Sequence, residues 1–206
     1  MSVIIELPEA EPFSGKSVSV SFAQRETIRE ISGKKLPLQV LSNLLWAANG
    51  FNRKDGPFGT GGRTAASASN SQEIDVYLAM QEGFYLYDAL QHRLMPVLDE
   101  DLRSYAIGKR QPWNASNAPL HIIYIADVDR LIHTSGYQEP GLQDPEVQKS
   151  YYFVDTGIIA GNVYLFASSQ GLASWFHNCD REGLSEKLKL RHDQRVLFGQ
   201  TVGYPA

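Results

Sequence analysis

The chain has 206 residues, 43% of them apolar and 20% charged, which suits one packed domain and excludes a disordered chain. Nineteen Lys and Arg against 23 Asp and Glu give a formal charge of −4, which argues against the basic footprint of a nucleic-acid binder. The lone Cys179 excludes an internal disulfide and a CxxC motif and suits a reducing compartment.

The first residues, MSVIIELPEAE, lack a basic n-region and carry three Glu, so no secretory signal is expected. The most apolar run, 158–167, is interrupted by Gly161 and Asn162 and falls short of the roughly 20 residues a membrane span needs. No membrane contact and a cytoplasmic location are the expectation. Residues 1–20 read as an N-terminal arm, with Pro8, Pro12 and Gly15 leaving 1–16 little intrinsic structure. Residues 21–206 read as a single domain.

Helix formers over 21–31 predict a short helix. Pro37 opens a stronger one, with Leu38, Leu41, Leu44, Leu45 and Ala48 on one stripe and Gly50 as its stop. Residues 51–64, rich in Gly, predict a loop. Ile74, Val76, Leu78 and Met80 alternate with other residues, and after Glu82-Gly83 the run Phe84 to Tyr87 completes a predicted β-hairpin. Residues 99–106 predict a short helix that starts on acidic residues. The run 120–126 is nearly all apolar, as a strand buried on both faces would be. A loop is expected over 134–149, then a long helix over 149–170 stopped by Gly171, apolar nearly all round and so expected to be buried. A short helix near 184–190 and a strand over 195–202 complete an α+β domain, an antiparallel-rich sheet with helices.

Several chemistries are excluded. The five His (92, 121, 133, 177 and 192) show no ligand spacing, so no metal is expected. No G-x-S-x-G elbow, Walker lysine loop or Cys–His pair is present. In Gly59-Thr60-Gly61-Gly62, Thr64 takes the place of the third glycine of a dinucleotide fingerprint, and no strand precedes it.

Three patches remain. Arg25-Glu26-Thr27-Ile28-Arg29, if helical, sets Arg25 and Arg29 on one face at i, i+4, a pair suited to a phosphate or other anion; a solvated surface helix is the plainer alternative. Arg63 leads into Thr64-Ala65-Ala66-Ser67-Ala68-Ser69-Asn70-Ser71-Gln72, whose small residues would let a flat ligand approach. The Asn70 amide could match a heterocycle edge, although an ordinary polar loop has the same composition. Gly171-Leu172-Ala173-Ser174-Trp175 is first a helix stop, and its backbone N–H groups could face a cofactor ring.

Taken in order, these patches resemble the FMN-dependent nitroreductase family, in particular the nitroreductase-like branch that includes azoline-forming dehydrogenases. The family's opening R-R-S-x-R stands here as residues 25–29, and its P-S-x-x-N-x-Q as Ala66 to Gln72. The helix 41–50, Ala118-Pro119 before a buried strand, Gly171 to Ser174 and the closing Val202-Gly203-Tyr204-Pro205 follow in family order. The resemblance implies an intertwined homodimer with FMN at the interface and the small residues of the long helix packed against its mate. It implies ping-pong transfer of a hydride from NAD(P)H through flavin N5 to a nitroaromatic, quinone or similar small acceptor, with no catalytic side chain. Arg25 and Thr27 would meet the phosphate and ribityl chain, with Glu26 between them, and Arg29 the pyrimidine side. Ser67, Ala68, Ser69, Asn70 and Gln72 would come from the other subunit to the ring edge, and Leu172, Ala173 and Ser174 would line the ring. Glu26 replaces a basic residue, Ala66 replaces Pro, and the sequence ends at Ala206, where many members continue to a basic pair that holds the phosphate. Arg63 is the candidate replacement. A peptide-modifying azoline-type dehydrogenase, a non-catalytic FMN-binding protein and a relative without flavin are the alternatives.

Overall fold

The computed structural model describes residues 3–11, 15–109, 117–135 and 140–206. In chain order the elements are β1 (Ile5–Glu6), α1 (Val18–Gln24), α2 (Leu38–Asn49), β2 (Phe51–Arg53), β3 (Gly62–Arg63) and β4 (Ile74–Met80). There follow β5 (Gly83–Asp88), β6 (Arg93–Leu98), β7 (Leu120–Asp127), α3 (Val128–Ile132), α4 (Pro145–Gln170), β8 (Ala173–His177), α5 (Arg181–Leu188) and β9 (Gln194–Gly203). One sheet runs in the order β1-β6-β5-β4-β7-β9-β8, with every neighbouring pair antiparallel. The expected α+β architecture, a mainly antiparallel sheet flanked by helices, is what the chain forms.

The centre of the sheet explains its apolar run. All eight residues of β7 are buried. Leu120, Ile122, Tyr124 and Ala126 join the larger core, which holds the buried residues of α2 and α4. Ile123 and Ile125 point the other way, into a second core with Tyr77, Phe84, Leu102 and Leu184. A strand with a core on each face has no reason to alternate. The hairpin predicted around residue 82 is β4–β5, closed by Met80 opposite Gly83. Helix α2 begins after Pro37 and ends at Gly50, where a Cβ would come within 2.6 Å of the Trp46 Cα. Only glycine fits that approach.

Helix α4 starts four residues ahead of the sequence expectation. Asp144 caps it by accepting the Glu146 N–H at 2.9 Å, and Pro145 takes the first helical position. Gly171 ends it at φ +66°, as expected. The helix is not buried all round, however. Tyr152, Asp155, Thr156, Ile159, Ala160, Val163 and Ala167 face the core, whereas Val154 is 61% exposed and Phe153 and Ile158 are also exposed. Added Cβ atoms on Gly157 and Gly161 would meet nothing within 4 Å. Among the described residues this outer face is uncovered.

Other expectations change. The predicted loop over 51–64 contains the small hairpin β2–β3. The predicted helix over 99–106 is absent: the Asp101 carboxylate accepts the Arg103 N–H at 3.1 Å and grips its guanidinium, a local bond that competes with helix, while Leu102 and Ala106 sink into the second core. The arm contributes β1, paired to Leu94 and Arg93 of β6. Pro96 disguises β6 in the sequence, and it lies beyond the two residues that β1 pairs. Of the expected loop over 134–149, residues 136–139 lie outside the described residues, and 140–143 form a short turn of helix. No helix among the described residues is long and apolar enough to cross a membrane.

Candidate active site

The first patch is not helical. Helix α1 stops at Gln24, and Arg25 caps it at φ −61°, ψ 121°. Residues 25–30 run extended because the sheet edge offers better partners than another helical turn. The Ile28 N–H donates to the Ser174 carbonyl at 3.1 Å, the Ser32 N–H to Tyr204, and the Ala206 N–H to Glu30. Ile31 also bridges to Pro205. Strand β8 ends the sheet, and this segment covers an edge that would otherwise lie open.

Extension keeps Arg25, Glu26, Thr27 and Arg29 exposed along one edge. The Arg25 guanidinium lies 5.5 Å from the centre of the Tyr164 ring, and that of Arg29 lies 5.9 Å from the centre of the Trp175 ring. Thr27 Oγ1 sits 3.2 Å from the Tyr164 hydroxyl, which also accepts the Phe176 N–H at 2.9 Å. Tyr164 therefore ties the basic segment to α4 and β8 at once. Spacing does not single it out, because it reads as one more aromatic in an apolar helix.

Leu172, Ala173 and Ser174 are not the open backbone that a helix stop suggests. All three are buried, and Ala173 and Ser174 pair with Gly203 and Val202 of β9. The Ser174 hydroxyl accepts from Gln200 Nε2 at 3.0 Å. Fully buried Gln200 also donates to the Ala160 carbonyl and accepts the Tyr124 hydroxyl at 2.6 Å, joining α4, β7, β8 and β9. Beneath Trp175 runs a proton-ordered chain. His177 Nδ1–H donates to the Asn178 carbonyl, so its Nε2 accepts from Thr201 at 2.7 Å, and Thr201 accepts from His121 Nδ1–H at 2.8 Å. Burial lowers His177 to about 4; burial, with the His177 charge second, lowers His121 to about 3. Both rings stay neutral near pH 7.

The second patch forms a tight loop. Ser69, Asn70 and Gln72 all take positive φ, at 47°, 56° and 51°. Left-handed residues other than glycine are costly and persist where surrounding bonds hold them. Here the Gln72 N–H donates to Ser67 Oγ at 2.9 Å, and Gln72 Nε2 donates to the Gly61 carbonyl and to Asn70 Oδ1. The Asn70 amide donates to the Thr60 and Gly61 carbonyls. Arg63 donates to Gln72 Oε1 at 2.6 Å and to the Asn49 carbonyl at 3.2 Å, and burial lowers its guanidinium below the usual value. The Ala68 N–H donates to Asp155 Oδ2 at 2.9 Å. Ala66, where the family carries Pro, is exposed.

The two patches do not meet within one chain. Asp155 and Tyr164 mark their places on α4, nine residues apart, or about 13 Å along the axis. Arg63 sits with the loop rather than with Arg25 and Thr27. The exposed face of α4 that carries Val154 and Ile158 lies between them.

The fold is an α+β domain with a basic, aromatic-backed edge against Tyr164 in the C-terminal half of its long helix and a small-residue loop against Asp155 near the helix middle. A family model for the nitroreductase family matches residues 22–204, and the chain belongs to that family. A nitroreductase-type protein of Methanocaldococcus jannaschii is 28% identical over 177 residues, covering 82% of this chain and 81% of the relative. The crystal structure of a nitroreductase-type protein from Ralstonia eutropha matches with a TM-score of 0.86 and 34% identity, over 98% of this chain and 90% of that one. The Escherichia coli microcin synthetase McbBCD complex, with truncated pro-MccB17 bound, matches over 98% of this chain and 78% of that one at 17% identity and a TM-score of 0.68. That last likeness concerns the fold alone. Family membership supports an oxidoreductase.

Proposed function

We propose that the protein is an FMN-dependent NAD(P)H oxidoreductase, acting as a homodimer on a nitroaromatic, quinone or similar small acceptor. The observation that carries this reading is the edge segment 25–29. It presents two guanidiniums and a hydroxyl whose neighbours are the Tyr164 and Trp175 rings, and among the described residues no carboxylate pairs with Arg25 or Arg29. Cations left open beside aromatic faces suit a ligand that is anionic at one end and a flat ring at the other. The donor set therefore fits FMN.

Bound FMN would supply the redox chemistry, taking a hydride from NAD(P)H and handing electrons to an acceptor that replaces the nicotinamide. The chain's own residues bind and orient. Arg25 and Thr27 hold the phosphate and ribityl chain, beside Glu26. Arg29 places positive charge at the pyrimidine side, where it stabilises charge gained on reduction. Leu172, Ala173 and Ser174 form the wall that fixes this segment. Ser67, Ala68, Ser69, Asn70 and Gln72 reach the ring edge from the second subunit, with Arg63 bracing them through Gln72. No side chain is required as nucleophile, and burial pushes the Cys179 thiol up to about 12. The single domain over 21–206 and the cytoplasmic setting belong to the same proposal.

The two-copy site has a direct test. Ile158 lies on the uncovered face of α4, so Ile158→Asp leaves the single chain's core intact and puts a charge into the proposed helix–helix contact. Light scattering should then report a monomer, and FMN affinity should fall by about 100-fold or more, as half of each site departs. A monomer that keeps wild-type FMN affinity contradicts a site shared between subunits.

A further inference from the structure

Beneath the loop at 67–72 lies a pair of acidic groups that the redox reading leaves unused. Glu73 is fully buried and Asp155 nearly so, one at the start of β4 and the other on the inner face of α4. Their outer contacts all point to the loop. Asp155 Oδ2 accepts the Ala68 N–H at 2.9 Å, and Glu73 Oε2 accepts the Ser71 hydroxyl at 2.6 Å. Glu73 Oε1 is closed to solvent and lacks any donor.

An acceptor in that position is costly unless it carries a proton, and protonation turns it into a donor toward the neighbouring carboxylate. Burial first and the Asp155 charge second raise Glu73 above the usual carboxylate range, and burial raises Asp155. The surrounding charges are engaged elsewhere. On β3, Arg63 binds Gln72 and the Asn49 carbonyl. On α3, Arg130 binds Asp75, Asp127 and the Gln72 carbonyl, and Arg191 binds Asp127 and Asp193. The Tyr87 hydroxyl on β5 faces His92. Among the described residues, no cation therefore neutralises a second negative charge beside Glu73.

We propose that Glu73 and Asp155 share one proton, and that this carboxyl–carboxylate bond is a positioning device holding residues 67–72 in their left-handed, ligand-ready form. With the proton present, one carboxyl grips each end of the loop, at Ala68 and at Ser71. Without it, two buried like charges repel and the grip opens. Burial first, and the Asp155 charge second, bring Glu73 up to about 7, so the device operates near neutral pH. The sign follows. The folded loop holds a proton that an unfolded Glu loses near 4.5, so the loop's stability falls as pH rises from about 4.5 and levels off above about 7.

The ligand in this inference rests on the FMN reading, whereas the proton switch does not, and two readouts separate them. Hydrogen–deuterium exchange of a peptide spanning 65–73 in the flavin-free protein, taken as the ratio of wild type to Glu73→Gln at each pH, cancels the intrinsic pH dependence of exchange. The ratio should be near one at about pH 4.5, rise several-fold toward pH 7 and level off above it. FMN titrations over the same range should show wild-type affinity falling relative to Glu73→Gln between about pH 4.5 and 7 and levelling off above, because glutamine donates permanently. Asp155→Asn, which removes one charge, should also flatten the profile. An exchange ratio of one throughout, or a Glu73→Gln profile that tracks wild type, overturns the switch. The expected exchange with no FMN binding at any pH upholds the switch and overturns the flavin reading instead.

Discussion

On the proposed function, Arg25→Ala should weaken FMN binding by about 10- to 100-fold, while Arg29→Ala should chiefly slow reduction by NAD(P)H. The difference follows from what each guanidinium would meet. A charge-assisted bond contributes about 1.5–3 kcal/mol, and each 1.4 kcal/mol is a factor of ten. Arg25 follows directly on α1 and lies against Tyr164, so its loss removes a phosphate contact without disturbing the core. Because the site is exposed, the effect should shrink as salt is added. Arg29 lies against Trp175, further along the same extended segment, and its proposed partner gains negative charge only on reduction. Equilibrium titration and anaerobic stopped-flow separate the two. Unchanged FMN affinity in Arg25→Ala, or equal effects on binding and reduction in Arg29→Ala, contradicts these roles.

Gln200→Leu lowers stability by about 3 kcal/mol. Its amide joins four elements, and a leucine leaves the fully buried Tyr124 hydroxyl without its acceptor and the Ser174 hydroxyl and Ala160 carbonyl without their donor. An orphaned buried polar group costs about 1–3 kcal/mol, and the apolar gain of leucine offsets part of the sum. Urea unfolding of wild type and variant at pH 7 measures it. A change below about 1 kcal/mol would mean the knot is not holding β8 and β9 to α4.

Where local pattern and tertiary demand agree, the elements are legible in the residues. The α2 stripe, the β4–β5 alternation and the continuous apolar run of β7 each match the layer they occupy. Residues 25–31 are the opposite case. Their composition suits a helix, and what overrides it is pairing with Ser174 of β8 and with residues 204–206 beyond β9, partners brought near only by the fold. Strand β8 itself hides behind the glycine stop of α4, and Pro96 conceals β6. Helix α4 is apolar on two faces, of which one packs on the core and the other, with Val154 and Ile158, is exposed. The proposed site rests on an order of motifs that names Arg25, Thr27, Arg29 and the Ser67-to-Gln72 loop. Its supports are not legible in that order: Tyr164, Gln200 and Asp155 act across 137, 76 and 87 residues of sequence. Arg63 shows the limit of reading charge without position, because its guanidinium braces the loop by way of Gln72.

The most direct test of the central claim is the visible absorption spectrum of the purified protein, supplied with FMN and then with NAD(P)H in the absence of air. A protein-bound flavin spectrum that bleaches on adding NAD(P)H is the predicted result. A protein that stays colourless after incubation with FMN, or whose flavin band is untouched by NADH and NADPH alike, would contradict the account.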